Sequence, residues 1–253
     1  MKISVDVSPN AGGSVEIEDS TSVSYPFTRT FKENSTILVE AKPEDGYEFV
    51  NWSGDVSGNE NPLEITMEYH MTIVANFSRI KHTLTVEVDG SGHTAPIAGI
   101  HSYNEGATVS LTATPDSGWQ FYGWNGKVVN PDSAIAAVIM DSDKNVTASF
   151  SQIMYALTME VSGNGSTSPA TGTYNYAEGT EISITANPDS GWQFDSWTDE
   201  VNDPNSAATT FTVNSDKSIT ANFSQTNTGI IGIIAGTIGA GLATFFATRR
   251  QKS

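Results

Sequence analysis

Apolar and polar residues alternate in short runs along most of this chain. Ile3, Val5 and Val7 are separated by Ser4 and Asp6, and the runs from Leu84 to Val88 and from Leu157 to Val161 repeat the pattern. A period of two puts one set of side chains on a single face, so each run predicts a half-buried strand. Gly/Ser/Pro-rich stretches follow at 9–14, 89–96 and 162–169, and read as turns or short edge segments. A second alternating run comes next: Ile37, Val39, Ala41; Val109, Leu111, Ala113; Ile182, Ile184, Ala186. Proline at 43, 115 and 188 ends it, because proline cannot donate to a sheet ladder. Two closing runs complete each copy, for example Val138 to Met140 and Val146 to Phe150. The polar turns between them, Asp141-Ser142-Asp143-Lys144 and Asn214-Ser215-Asp216-Lys217, signal hairpins. No segment before residue 227 sustains helical periodicity.

The runs belong to an internal repeat. The phrase Pro188-Asp189-Ser190-Gly191-Trp192-Gln193-Phe194, closed by Trp197, recurs as Pro115 to Phe121 with Trp124, and more weakly as Pro43 to Phe49 with Trp52. The period of about 73 residues is that of a small domain, and three copies fill most of the chain. Two local expectations follow. Asn34, Gly106 and Gly179 occupy one turn position after an aromatic and a carboxylate, and predict positive φ there. Trp52, Trp124 and Trp197 lie three residues beyond Phe49, Phe121 and Phe194, an odd offset that needs a β-bulge to return them to the same face. The polar loops 53–62, 125–133 and 198–206 differ most between copies, which is where binding would be placed.

These units predict an all-β architecture of three small tandem modules, 1–79, 80–152 and 153–226, followed by a distinct segment at 227–253. Each module is near the lower size limit for independent folding, and the chain has no cysteine to staple it. The 12 Lys and Arg against 29 Asp and Glu give a net charge of −17, a surface that repels polyphosphate. Nucleic acid is therefore not an expected partner.

Candidate chemistry is sparse. His70, His82, His93 and His101 do not recur at equivalent positions and have no metal-type spacing partner, so they read as solvated loop histidines. No phosphate loop or nucleophile elbow occurs, and no cofactor, metal or catalytic site is expected. The Asp141-Ser142-Asp143 turn offers oxygens to Ca²⁺ but lacks the glycine and terminal glutamate of a dedicated loop. The aromatics carry the one ligand expectation: Trp119, Trp192 and Tyr47 follow a polar turn, and an exposed ring of this kind stacks on a sugar. The competing reading makes the same aromatics part of the module core. Asn-x-Ser/Thr triplets begin at Asn34, Asn51, Asn76, Asn145, Asn164 and Asn222.

The combination of Tyr-x-Glu-Gly at Tyr103 and Tyr176, the run from Val109 to Trp124, and the closing words Asp143 to Phe150 and Asp216 to Phe223 resembles the divergent internalin-type B-repeat family. That family occurs in multi-copy surface proteins of bacteria and archaea. The resemblance covers about residues 3–225 and implies a compact β module, strung in tandem as a spacer or adhesive element, without catalysis. The first copy departs most, with Asn34 for glycine, His70-Met71 for Asp-Lys, and a longer early insert.

The run from Ile230 to Ala247 has no charge and no proline, and Arg249, Arg250 and Lys252 follow it. With Gly229 and Thr248 it spans about 20 residues, roughly 30 Å of helix, which predicts a C-terminal transmembrane α-helix. The basic tail places the C-terminus in the cytoplasm and the modules outside. Gly232, Gly236 and Ala240 line one helix face and would allow weak self-association. Met1-Lys2 leads directly into the first strand without an apolar signal region, so the expectation is that a signal and further repeats precede this sequence. The function expected is that of a membrane-anchored cell-surface stalk, spacer or adhesin that engages a glycan or a surface protein. The alternative is an array of carbohydrate-binding modules.

Overall fold

The computed structural model describes residues 1–226 apart from positions 19 and 23. Every regular element among the described residues is a β-strand. The expected membrane-spanning stretch, with Gly232, Gly236, Ala240 and the basic tail, lies outside them. Among the described residues no helix is long and apolar enough to cross a membrane.

Module 1 contains β1 (Lys2–Ser8), β2 (Gly13–Ile17), β3 (Ser20–Ser22), β4 (Phe27–Thr30), β5 (Thr36–Pro43), β6 (Tyr47–Gly54), β7 (Leu63–Thr66) and β8 (Met71–Arg79). Module 2 contains β9 (Lys81–Asp89), β10 (Gly92–Ala95), β11 (Gly99–Asn104), β12 (Thr108–Pro115), β13 (Trp119–Gly126), β14 (Ile135–Ile139) and β15 (Lys144–Gln152). Module 3 repeats the second as β16 (Met154–Ser162), β17 (Gly165–Ser168), β18 (Gly172–Ala177), β19 (Glu181–Pro188), β20 (Trp192–Trp197), β21 (Ala208–Thr212) and β22 (Lys217–Gln225). By spatial contact the chain forms two compact units. One is Met1–Tyr155 with Asn175–Thr180 and Val213–Ser215, and the other holds the rest of the third module.

Each module is built from two sheets. In module 2 these are a four-stranded sheet ordered β11-β9-β15-β13 and a three-stranded sheet ordered β10-β12-β14. Modules 1 and 3 keep the plan as β4-β1-β8-β6 with β3-β2-β5-β7, and β18-β16-β22-β20 with β17-β19-β21. In modules 1 and 2 the inward residues of both sheets merge into one core each. In module 2 it joins Leu84 and Val86 of β9, Val109 and Leu111 of β12, Val138 of β14, and Val146 and Ala148 of β15. The strict alternation of buried and outward positions, as in β5 and β12, is the pattern the sequence predicts.

The expected hairpins do not form. In each module the last two strands lie in different sheets: β14 pairs with β12, whereas β15 sits between β9 and β13. The intervening turn is a crossover. Asp143 Oδ1 accepts the Thr83 N–H at 2.7 Å, and Asp216 Oδ1 accepts that of Ala156 at 2.7 Å, which ties each turn to the first strand of its own module. Consequently the first and last strands of every module run parallel and side by side.

The first module makes the same tie differently, with His70 Nδ1 accepting the Lys2 N–H at 2.9 Å. An imidazole nitrogen thus replaces a carboxylate oxygen. His70→Ala is expected to cost module 1 about 0.5–1.5 kcal/mol and His70→Asp to recover most of that. Urea denaturation of the variants, followed by the amide exchange of residues 1–79, would check it.

Candidate functional site

The distinctive phrase forms a corner with a fixed hydrogen-bond pattern. Asp116 O accepts the Trp119 N–H at 3.0 Å across a four-residue turn, as Glu44 does for Tyr47 and Asp189 for Trp192. Gly46, Gly118 and Gly191 sit third in that turn with φ of +78°, +77° and +80°, the conformation a type II turn demands. The other predicted turn also holds: Asn34, Gly106 and Gly179 have φ of +61°, +76° and +80°.

Beyond the corner, the register of each strand slips by one residue, between Phe49 and Asn51, Phe121 and Gly123, and Phe194 and Ser196. This is the expected bulge. Val50, Tyr122 and Asp195 are the extra residues, and Trp52, Trp124 and Trp197 return to the inner face, where they are 1, 5 and 3 % exposed. In module 1 the Phe49 ring lies 5.2 Å from Trp52 and 6.0 Å from Phe77. Modules 2 and 3 reproduce the triad with Phe121, Trp124 and Phe150, and with Phe194, Trp197 and Phe223.

The variable loops nonetheless return to one point. The backbone N–H of Trp52, Trp124 and Trp197 donates to the Gly58, Pro131 and Pro204 carbonyls at 2.7, 2.8 and 2.8 Å. The indole N–H is less uniform: it reaches Glu60 O in module 1 and Ser206 O in module 3, but that of Trp124 is buried without a partner. Leaving a buried donor unmet is costly. Trp52→Phe should therefore destabilise its module by about 1 kcal/mol more than Trp124→Phe does, measured by chemical denaturation of each variant.

The corner carbonyl has a second role that the sequence does not announce. Gly46 O accepts the N–H of Ile80, the single residue between β8 and β9, at 2.9 Å, and Ile80 O accepts the Glu105 N–H at 3.0 Å. Gly118, Ile153 and Glu178 repeat this at 2.9 and 2.9 Å. Gly191 O likewise takes the Thr226 N–H at 2.9 Å. The corner is thus a clip for the connection that follows each module. The available signal was an isoleucine at the same offset in two copies, with no chemistry of its own to mark it.

The proposed sugar-stacking rings occupy the start of this corner strand. Trp119, Trp192 and Tyr47 are all partly buried. Trp119 packs against the core of module 2. One face of Tyr47 is occupied by the Arg79 guanidinium, 4.7 Å from the ring centre. One concavity of about 630 Å³ lies in module 1 between Asn10, Gly13, Ser14, Thr21, Tyr25 and Glu44.

The Asp141-Ser142-Asp143 turn spends its oxygens internally. Lys144, only 8 % exposed, lays its stem into the module and donates to Asp141 Oδ1 and Ser142 Oγ, while Asp143 takes the Thr83 N–H. The Lys144 hydrogen bond, then that of Ser142 and the charges of Lys127 and Lys144, hold the Asp141 carboxyl down at about 2. The Thr83 N–H lowers Asp143 as well. Both folded values lie below those of an unfolded chain. Their contribution is complete above the ordinary carboxylate range near pH ~4 and, for Asp141, is lost as pH falls through about 2. Carboxyl NMR titration should place the Asp141 midpoint there and shift it upward in Lys144→Met. That variant itself should stay within about 1 kcal/mol of the parent, since Met71 fills the equivalent place in module 1.

No group of three or more His, Asp or Glu able to hold a metal ion occurs among the described residues. The histidines are not all solvated loop residues: His82 lies in β9 with its Nε2 buried and unpartnered. There β9 is covered by the crossover turn, with Asp143 3.9 Å from the His82 ring. His101 Nε2 contacts Ile97 O at 2.7 Å and His93 faces Asp116 at 3.3 Å. Among the triplet asparagines, Asn34, Asn51, Asn145 and Asn164 are exposed. Asn76 and Asn222 spend their amides on the neighbouring corner strand.

Taken together, the fold and its corners define a tandem array of two-sheet β modules in which the recurring residues serve folding and connection. The sequence matches the divergent InlB B-repeat domain over residues 3–81, 82–154 and 155–227, and the chain belongs to that family. No curated protein matches it. Among solved structures it is similar to the Bacillus anthracis TIE protein, at 9 % identity and a TM-score of 0.45 over 87 % of this chain. The chain spans about half the length of that protein, 49 %.

Proposed function

We propose that this chain is a non-enzymatic cell-surface protein whose three repeats act as a spacer or adhesive stalk. Residues 230–247 anchor it in the membrane, with the modules outside and Arg249, Arg250 and Lys252 in the cytoplasm. The observation that carries this reading is the repeated corner: what recurs is the machinery of folding and connection, while the loops vary. Membership of a surface-repeat family and the apolar run with its basic tail support it. External protease added to intact cells should remove the modules and leave the tail, and modules protected until lysis would overturn the orientation. A second reading is glycan binding through the minor part of Trp119, Trp192 and Tyr47 that packing leaves exposed. It expects glycan-array binding that Trp119→Ala and Trp192→Ala abolish.

A further inference from the structure

A chain pulled by its ends loads each module at the start of its first strand and at the end of its last. In this fold those two strands are neighbours. β1 pairs with β8 in parallel over six residue pairs, from Ile3 with Met71 to Ser8 with Asn76. β9 with β15 and β16 with β22 repeat the six-pair ladder, from Lys144 with Leu84 to Ser149 with Asp89, and from Leu157 with Lys217 to Ser162 with Asn222. From this geometry we propose that each module is a shear clamp and that the array bears tension from end to end.

In parallel neighbours, tension on the start of one strand and the end of the other slides them past each other. The pull then runs along the strands and across the hydrogen bonds, so all the bonds of the ladder share it. Antiparallel partners joined by a short turn would be peeled apart one bond at a time instead. Parallel ladders are slightly weaker per residue at equilibrium, so their use here has no stability advantage to explain it. Its advantage lies in direction.

Two further observations strengthen the clamp. Neither strand is at an edge: β9 is flanked by β11 and β15, and β15 by β9 and β13. Their inner side chains are also sealed in the core, with Leu84 and Ala148 at 0 % exposure and Val146 at 1 %. Water therefore has little access from that face to replace a strained ladder bond. The crossover turn is what makes the arrangement, since a hairpin at the Asp141 turn would have paired β14 with β15 and left β9 elsewhere. The clamp deepens the spacer reading and rests on it for the source of the load, but it is a property of the fold and is tested without a membrane.

The absence of cysteine in the whole chain makes the test direct, because two introduced thiols become the only handles. In the full chain, Lys81→Cys with Gln152→Cys pulls β9 and β15 in shear, and Lys81→Cys with Ser142→Cys pulls the same strands apart from one end. All three positions are exposed. Forced unfolding reports the barrier in the pulled direction and not the equilibrium stability. At one loading rate in an optical trap or atomic force microscope, the shear pair should rupture at several-fold higher force. Its extension gain should approach the ~250 Å contour of the segment, which marks the event as this module. Equal forces in the two geometries, or a lower force in shear, would overturn the clamp. If these variants lose their far-UV β signal, Lys2→Cys with Arg79→Cys against Lys2→Cys with Tyr69→Cys poses the same contrast in module 1. A high shear force with protease-protected modules would sink the surface reading alone, and the reverse result the clamp alone.

Discussion

Trp52→Ala is expected to unfold the first module while the second keeps its structure. Trp52 is 1 % exposed, donates its indole N–H to Glu60 O at 2.9 Å, and packs at a tilt against Phe49 with ring centres 5.2 Å apart. Truncating such a ring costs about 3–5 kcal/mol through lost transfer energy and the cavity left behind. A domain of this size has roughly 4–11 kcal/mol in total, so little margin remains. The effect should be local, because the cores are separate clusters: Trp52 belongs with Ile3, Val5, Ile73 and Phe77, and Trp124 with Leu84, Val146 and Phe150. Amide exchange followed by mass spectrometry would show β1, β6 and β8 losing protection with β9 and β15 unchanged. Full protection in β8 would show that the corner aromatic is not what holds the module.

Gly90→Val is expected to be nearly as damaging, for a backbone reason. Gly90 has φ of +89°, and a Cβ there would lie 2.5 Å from Phe150 O and 2.9 Å from the Trp119 ring. A left-handed residue with a branched side chain costs on the order of 1–3 kcal/mol before any collision. The collision is with the carbonyl of β15, whose position the sheet fixes, so relief requires moving the strand that carries the core. Gly106→Ala is the control: its φ is +76°, but a Cβ would have nothing within 4 Å. It should lose only about 1 kcal/mol, the strain of φ alone. Equal midpoints for Gly90→Val and Gly106→Ala in denaturant would refute the packing argument.

The same pair of glycines separates what is local from what is not. Positive φ at Gly106 is readable from its neighbours, since asparagine replaces glycine there in the first copy. The crowding at Gly90 is invisible in the sequence, because Phe150 lies some sixty residues further on and reaches it only once the sheet has formed. The candidate site divides likewise. The aromatic rings of the corner were readable as core or ligand platform, and the bulge followed from an odd spacing. That Gly46, Gly118 and Gly191 also clip the connecting residue was not, because backbone carbonyls carry no side-chain signature.

By itself the sequence determined that this is an all-β chain of three like modules, with alternating core positions, two recurrent turns and a bulged corner. These are consequences of period, proline and glycine, which act within a few residues. Tertiary structure alone decided which strands pair. Two alternating runs separated by a polar turn are compatible with a hairpin or with a crossover, since each choice buries the same face. The crossover that forms is tied down by bonds such as Asp143 to the Thr83 N–H, made between residues far apart in the chain. That choice sets the first and last strands side by side, and with them the route by which tension crosses each module.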